Sequence, residues 1–272
     1  MGAPYFITAV ELADQLGRAD SPLVIDVSRM EKIIERGVLI PASIIRPAFD
    51  AEQWAGDVPR DRRIVLTCVH GHERSQYAAG FLRAQGFSAS VLRDGFDGWI
   101  AAQGVTVKRM AGPVTLGDAP TRWITRRRPK IDRVACPWLI RRFLDPQAEF
   151  LFAEPDYVAA VSEQSGAVGF DYPGAPFEHD GPLCSFDVML RESGLQDNAD
   201  LQKLALIVRG ADTDRLDLAP QAAGLLAISL GLSASNGDDD QAMLEQGMTL
   251  YDGLWSWIRH AAQETHNWPR AQ

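Results

Sequence analysis

One stretch limits the fold more than any other. Ile64-Val65-Leu66, between Arg63 and Thr67, is continuously apolar and runs directly into Cys68-Val69-His70-Gly71-His72-Glu73-Arg74-Ser75. From Ser75 to Ala84 the apolar residues Ala78, Ala79, Phe81 and Leu82 recur at helical spacing, and Gly86 supplies a stop. A short strand without polar alternation is buried on both faces, which is the habit of parallel sheets. Leu23-Val24-Ile25-Asp26-Val27 and Ser90-Val91-Leu92 read the same way, and Tyr5-Phe6-Ile7 adds a short strand. Thr8-Ala9-Val10-Glu11 is a capping box that starts a helix through about Leu16, ending at Gly17. Strands alternating with helices predict an α/β unit with a parallel sheet covered on both faces.

At 272 residues the chain has room for two ordinary domains. The alternation fades after residue 108, and the Gly- and Pro-containing stretch 109–121 reads as a linker. Residues 122–272 read as mainly α-helical. Pro137 opens one helix through Leu144, and Ala199 to Arg209 forms another that ends at Gly210. Pro220 opens a third that closes at Gly231, and Asp238-Asp239-Asp240 caps a long last helix to about Ala262. Trp138, Ile140, Tyr251, Trp255 and Trp257 fall where core residues belong.

The net charge of −9 is unevenly spread. Residues 1–110 balance at 13 basic and 13 acidic, and residues 122–142 hold eight basic residues and one acid. From 143 onward there are 6 basic and 21 acidic residues. The expectation is that the basic segment packs against the acidic part of its own domain. An oxyanion site involving Arg126, Lys130 and Arg133, with Asp132 orienting an arginine, is the alternative. DNA binding is not expected, because the surrounding domain is acidic and no helix-turn-helix pattern accompanies the basic cluster. Three cysteines, at 68, 136 and 184, argue for reduced thiols and a cytoplasmic setting. No apolar run reaches the roughly 20 residues of a membrane span, and the N-terminus lacks a secretory pattern.

The loop after Thr67 carries recognisable chemistry. It leaves the carboxyl end of a buried strand, where open α/β sheets bind ligands. Its amides and the following helix N-terminus favour negative charge, which would make Cys68 a thiolate nucleophile. Gly71 lets the loop curl, and Arg74 offers a fork of donors to a tetrahedral anion. A buried structural cysteine is the plainer reading of Cys68, but a Gly, two His and an Arg make a poor core.

On these residues, with Ile40-Pro41-Ala42 and Leu92-Arg93-Asp94-Gly95-Phe96-Asp97-Gly98-Trp99, the first domain resembles the rhodanese family over about 5–105. The resemblance implies a rhodanese-like fold for residues 1–108 and a sulfane sulfur carried on Cys68. Arg74 would assist, and Val69, His70, Gly71, His72, Glu73 and Asp26 would line the anion site. It implies a small sulfur donor, a thiol acceptor and no cofactor for the transfer. The chain departs from the pattern at Ser28 and Val38, and its Cys-x5-Arg-Ser loop is one residue longer than is common. That length is shared with cysteine phosphatases and some arsenate reductases, so oxyanion hydrolysis or reduction stays open beside sulfur transfer. Glu73 and Asp97 are the nearby acids such chemistry would call on.

The second half resembles the bacterial chromate resistance family. The phrases that carry it are Arg126 to Phe143, Phe177-Glu178-His179-Asp180-Gly181, Cys184-Ser185-Phe186-Asp187 and Arg209-Gly210-Ala211-Asp212-Thr213. The resemblance implies a role with chromate, by enzyme action or by sensing, and Lys130 and Arg133 are the residues proposed to meet that dianion. His179, Asp187 and Cys184, with Asp212 and Glu149 near, form a mixed N/O/S set suited to a divalent ion such as Zn, Fe or Mn.

Overall fold

The computed structural model describes residues 4–264. Its first half is built from β1 (Phe6–Ile7), α1 (Ala9–Gln15), β2 (Leu23–Asp26), α2 (Met30–Arg36), β3 (Val38–Leu39), β4 (Ser43–Ile45), α3 (Ala51–Trp54), β5 (Ile64–Thr67), α4 (Glu73–Ala84), β6 (Ala89–Leu92) and α5 (Gly95–Ala101). Five strands form one sheet in the order β1-β6-β5-β2-β4, and every pairing is parallel. Every residue of β2 and β5 is buried, as continuous apolar strands require.

The two faces of the sheet have separate cores. Leu23, Ile25 and Leu66 point toward Ala78, Ala79 and Leu82 of α4. Val24 and Val65 point the other way, toward Leu12 of α1 and Phe96 and Trp99 of α5. The capping box of α1 forms in full, with Thr8 and Glu11 satisfying each other's backbone amides. Strand β4 and helices α2 and α5 carry no flanking signal as strong as this and are additions to the sequence reading.

Residues 109–121 are not a free tether. Strand β7 (Val107–Lys108) pairs antiparallel with β3, and β8 (Met110–Ala111) pairs with β9 (Val114–Thr115). Ala111, Val114 and Leu116 are buried in one core with Ile33, Leu39 and Ile45 from the first half and Trp123 and Phe177 from the second. The Ile45 amide donates to Gly117 across this seam, at 2.8 Å. The Ala42 amide donates to Phe143 at 2.7 Å. The two halves therefore share apolar surface that neither would bury alone.

The second half opens with a small parallel sheet, β11 (Glu149–Ala153), β10 (Arg122–Arg126) and β12 (Val168–Gly169) in that order. The rest is mainly helical: α6 (Asp132–Leu139), α7 (Val158–Ser165), α8 (Ser185–Ser193), α9 (Ala199–Asp212), α10 (Ala222–Asn236) and α11 (Asp240–Ser256). Three expected boundaries move. Pro137 lies inside α6 rather than at its start, and the helix widens into a π-turn over Ile140–Leu144 just after it. Gly210 lies within α9, because a β-carbon there would stand 2.9 Å from the Ala222 β-carbon; the glycine lets α9 and α10 touch. Gly231 is likewise internal to α10, which runs on to Asn236. The last helix is capped as expected, by the Asp239 carboxylate on the Ala242 amide at 2.9 Å. Trp138, Tyr251 and Trp255 are core residues, and no described helix is long and apolar enough to cross a membrane.

Candidate functional sites

Cys68 stands at the carboxyl end of β5, 5% exposed. Its Sγ lies 3.3 Å from the Ser75 hydroxyl in the first turn of α4. The backbone N–H groups of Val69 to Arg74 donate to no protein acceptor among the described residues. Six free amides beginning at a thiol, and ending at a helix N-terminus, are donors of the kind that anions attract. The start of α5 fixes the loop from behind. Its Phe96 amide donates to the Cys68 carbonyl at 2.8 Å and its Asp97 amide to the Val69 carbonyl at 3.0 Å.

That contact demands glycine. Gly95 has φ +59°, and a β-carbon on it would come within 2.3 Å of the Cys68 carbonyl and 2.4 Å of the Gly71 nitrogen. Gly37, at the end of α2, has φ +65° with nothing near its missing β-carbon. Gly37→Ala should therefore cost only the left-handed penalty, about 1 kcal/mol. Gly95→Ala should cost about 2–3 kcal/mol because backbone must also move. Urea unfolding of both variants checks this, and equal losses would refute the close-contact account.

Arg74 does not point its whole fork at the loop. Its Nε donates to the Val27 carbonyl at 2.8 Å, and its guanidinium lies 5.0 Å from the centre of the Phe49 ring. It also lines a cleft of about 280 Å³ with Ser28, Arg29, Met30, Ile45, Arg46 and Pro47. None of Arg29, Arg46 and Arg74 pairs with a carboxylate among the described residues. The cleft's one acid, Asp118, is held by Arg109.

The other expected members of this site are spread out. His70 is exposed and its Nδ1 lies 3.0 Å from Asp97 Oδ2. His72 and Glu73 are exposed at the start of α4. Asp26 faces no ligand: it is fully buried, its Oδ1 accepts from the Ser28 amide at 2.9 Å, and its Oδ2 is paired with Arg36.

A second cluster sits in the other half. His179 Nε2 lies 3.1 Å from Asp132 Oδ2, 3.3 Å from Asp171 Oδ1 and 3.3 Å from Asp212 Oδ2. Asp132 opens α6, Asp171 follows β12, and Asp212 closes α9, so three separate elements deliver the carboxylates. The Cys184 sulfur approaches Asp132 and Asp212 from the start of α8, with all three ligating atoms within 4.8 Å of one another. The hydrogen bond that His179 donates to Asp132, with the surrounding carboxylates, raises the His179 pKa to about 9 against the opposing effect of burial. Burial, then the charge of Asp132, pushes Asp212 up to about 8, and the same two causes raise Asp171. Burial pushes the Cys184 and Cys136 thiols far up.

A family model described as "ChrB, C-terminal domain" matches residues 123–258, half of the chain. The chain belongs to the ChrB C-terminal domain family. A second model, "Rhodanese-like domain", matches residues 8–102, so the two families read from the sequence are the two that match, in the same order. Protein ChrB of Cupriavidus metallidurans is 38% identical over 134 residues, which cover 49% of this chain and 40% of that protein. A rhodanese-related protein of Thermoplasma volcanium is 25% identical, with a TM-score of 0.34, covering 38% of this chain and 98% of that one. A rhodanese-like domain protein of Staphylococcus aureus is 22% identical with a TM-score of 0.32, covering 35% and 91%.

Within the ChrB-family half, the residues singled out from sequence fall into different places. His179 and Cys184 border the carboxylate cluster. Asp187 stands behind it, accepting from the Cys184 amide at 3.1 Å and lying 3.5 Å from Arg209. Glu149 pairs with Arg122 outside it. Asp132 belongs to the cluster rather than to an arginine. Arg126 and Arg133 both hold Asp171, at 2.8 and 3.1 Å, so they do not form an open oxyanion pair. Arg122, Arg127, Arg141 and Arg142 also pair with acids of this half, leaving the Arg128 and Lys130 side chains without an ion pair among the described residues. The basic segment therefore packs against its own acidic half. Sequence reasoning passed over Asp171, whose only local sign is a turn position, at φ +53°. It also passed over Arg46, which reaches the first-domain cleft only through the pairing of β4 with β2.

Proposed function

We propose that this protein moves sulfane sulfur through a persulfide on Cys68 and that it serves chromate resistance in the cytoplasm. The observation that carries the reading is the thiol at the end of β5 inside a loop of six free amides, beside a cleft with three arginines that lack acid partners. The match to the rhodanese-like family supports the chemistry, and the ChrB-family half supports the setting. Three unpaired cysteines agree with a reducing compartment.

The transfer balances with a thiosulfate donor and a thiolate or cyanide acceptor. Cys68 gives its proton to solvent, and the thiolate attacks the outer sulfur of thiosulfate. The donor S–S bond breaks and sulfite leaves with its electron pair. The loop amides stabilise the anionic terminal sulfur that remains on Cys68. The acceptor then attacks that sulfur and returns the Cys68 thiolate. Hydrolysis of a phosphate ester fits less well, because the Arg74 Nε that such a loop would turn on the ester already serves Val27.

Intact mass after thiosulfate treatment tests the reading. A gain of one sulfur, removed by cyanide, is expected; a folded protein that gains none from thiosulfate or mercaptopyruvate refutes it. The cleft arginines should act on donor capture rather than on chemistry. Arg29→Ala and Arg46→Ala should each raise KM for thiosulfate about fivefold, roughly 1 kcal/mol of exposed electrostatics, with kcat nearly unchanged. An unchanged KM in the double variant would remove the cleft from the proposal.

A further inference from the structure

We propose that Asp132, Asp171 and His179, whose donor atoms all lie within 4.8 Å of one another, bind one divalent first-row metal ion in the ChrB-family half, with Asp212 beside them. The three donor atoms come from α6, the turn after β12 and the segment before α8, and Asp212 stands by at the end of α9. The three carboxylate oxygens all lie 3.1–3.3 Å from one imidazole nitrogen. Donor atoms that share a metal at about 2.1 Å stand roughly 3.0–3.4 Å apart, for octahedral and tetrahedral angles respectively. A single ring nitrogen directs one proton to one acceptor, so at most one of the three oxygens is its hydrogen-bond partner.

The surroundings are arranged for the same purpose. Asp171 gives one oxygen, Oδ2, to Arg126 and Arg133, and turns the other, Oδ1, to His179. The arginines thus orient the carboxylate and leave its inward oxygen available, as outer partners of a metal site do. Asp212 closes α9, where the helix dipole disfavours a negative charge and a bound cation would offset it. Arg209, one turn earlier, is engaged with Asp187 and does not neutralise Asp212. His179 is 38% exposed on its side chain, whereas Asp132 and Asp171 are buried, so the cluster is reached from solvent on the imidazole side.

Two carboxylates and one imidazole, with a third carboxylate beside them, form an oxygen-rich set that suits Mn2+ or Fe2+, with Zn2+ also accommodated. Cys184 lies beside Asp132 and Asp212 and donates to Asp187 at 3.3 Å. It would join the coordination only for a thiophilic ion.

The test uses the full chain after treatment with a chelator. Mn2+ and Zn2+ are titrated separately by equilibrium dialysis with elemental analysis. About one equivalent per chain is expected, together with a rise in the unfolding temperature. Asp132→Asn and Asp171→Asn should each weaken binding more than about tenfold, while Asp180→Asn, on an exposed acid outside the cluster, should not. Cys184→Ser should keep Mn2+ binding. Because a ligand variant can lose metal by misfolding, the parent protein supplies a second readout. Substoichiometric Mn2+ should broaden the ring resonances of His179 before those of His70, His72 or His260. Failure of the parent to retain either ion at tenths-millimolar concentration, broadening of another histidine first, or full binding by both Asn variants would overturn the site.

Discussion

Cys68→Ser will carry no sulfur, and its turnover of thiosulfate will fall to the rate in solution. The substitution is nearly isosteric, keeps a hydrogen-bonding group 3.3 Å from Ser75, and leaves the strand and loop unchanged. What disappears is the thiolate, the only form that attacks sulfane sulfur and holds it covalently. The parent should gain one sulfur by intact mass, and cyanide should remove it. Cys184→Ser is the informative companion. It lies fully buried in the other half, where burial holds the thiol protonated, so this variant should load sulfur like the parent. Sulfur on the Cys68→Ser chain would move the carrier elsewhere and defeat the assignment.

Much of the first half was legible because its signals are local. A continuous apolar strand, a cysteine at its end, a glycine and a helix start lie within about twenty consecutive residues, and each element follows from its own sequence. The loop that carries the free amides was legible for the same reason. The cleft was not, since Arg46 comes from β4, a three-residue strand that gains its place only by pairing with β2. The second half shows the limit more sharply. Asp132, Asp171, His179 and Asp212 are separated by up to 80 positions, and tertiary packing alone makes them neighbours. Of these, only His179 and Asp212 were read toward a metal, and Asp187, with its tidy spacing from Cys184, drew the reading toward a helix face that is a cap. Gly210 and Pro137 misled in a related way. Each has a local meaning, as helix stop and helix start, that close packing of α9 on α10 and a widened turn after α6 override.

The seam between the halves matters to both proposals. Residues 109–121 are wedged into a core built from each half, and Ile45, next to Arg46, contributes to that core. A change in the ChrB-family half that shifts Gly117 or Leu116 would press on β4 and so on the donor cleft. Coupling through this contact is expected to change the thiosulfate KM when metal is added, and an unchanged KM would show that the two sites act independently.

The largest loss of stability outside the Cys68 loop is expected from Arg36→Met, about 3–5 kcal/mol. The Asp26 side chain is wholly buried, and Arg36, only 13% exposed, is its charge partner. Arg36 also donates through Nε to the Val38 carbonyl at 3.0 Å and stacks 3.8 Å above the Phe96 ring. Methionine recovers part of the stacking but strands a carboxylate in the core with one remaining donor, the Ser28 amide. The consequence reaches the cleft, because the Asp26 carbonyl accepts from the Arg46 amide at 3.0 Å and the next residue, Val27, anchors Arg74. Asp26→Asn in the Arg36→Met background should restore at least half of the loss, since a neutral amide needs no counter-charge and still accepts from Ser28. A urea-unfolding double-mutant cycle measures this directly. If the two substitutions add, the damage comes from lost packing on Phe96 and the buried pair is not what holds β2 in place.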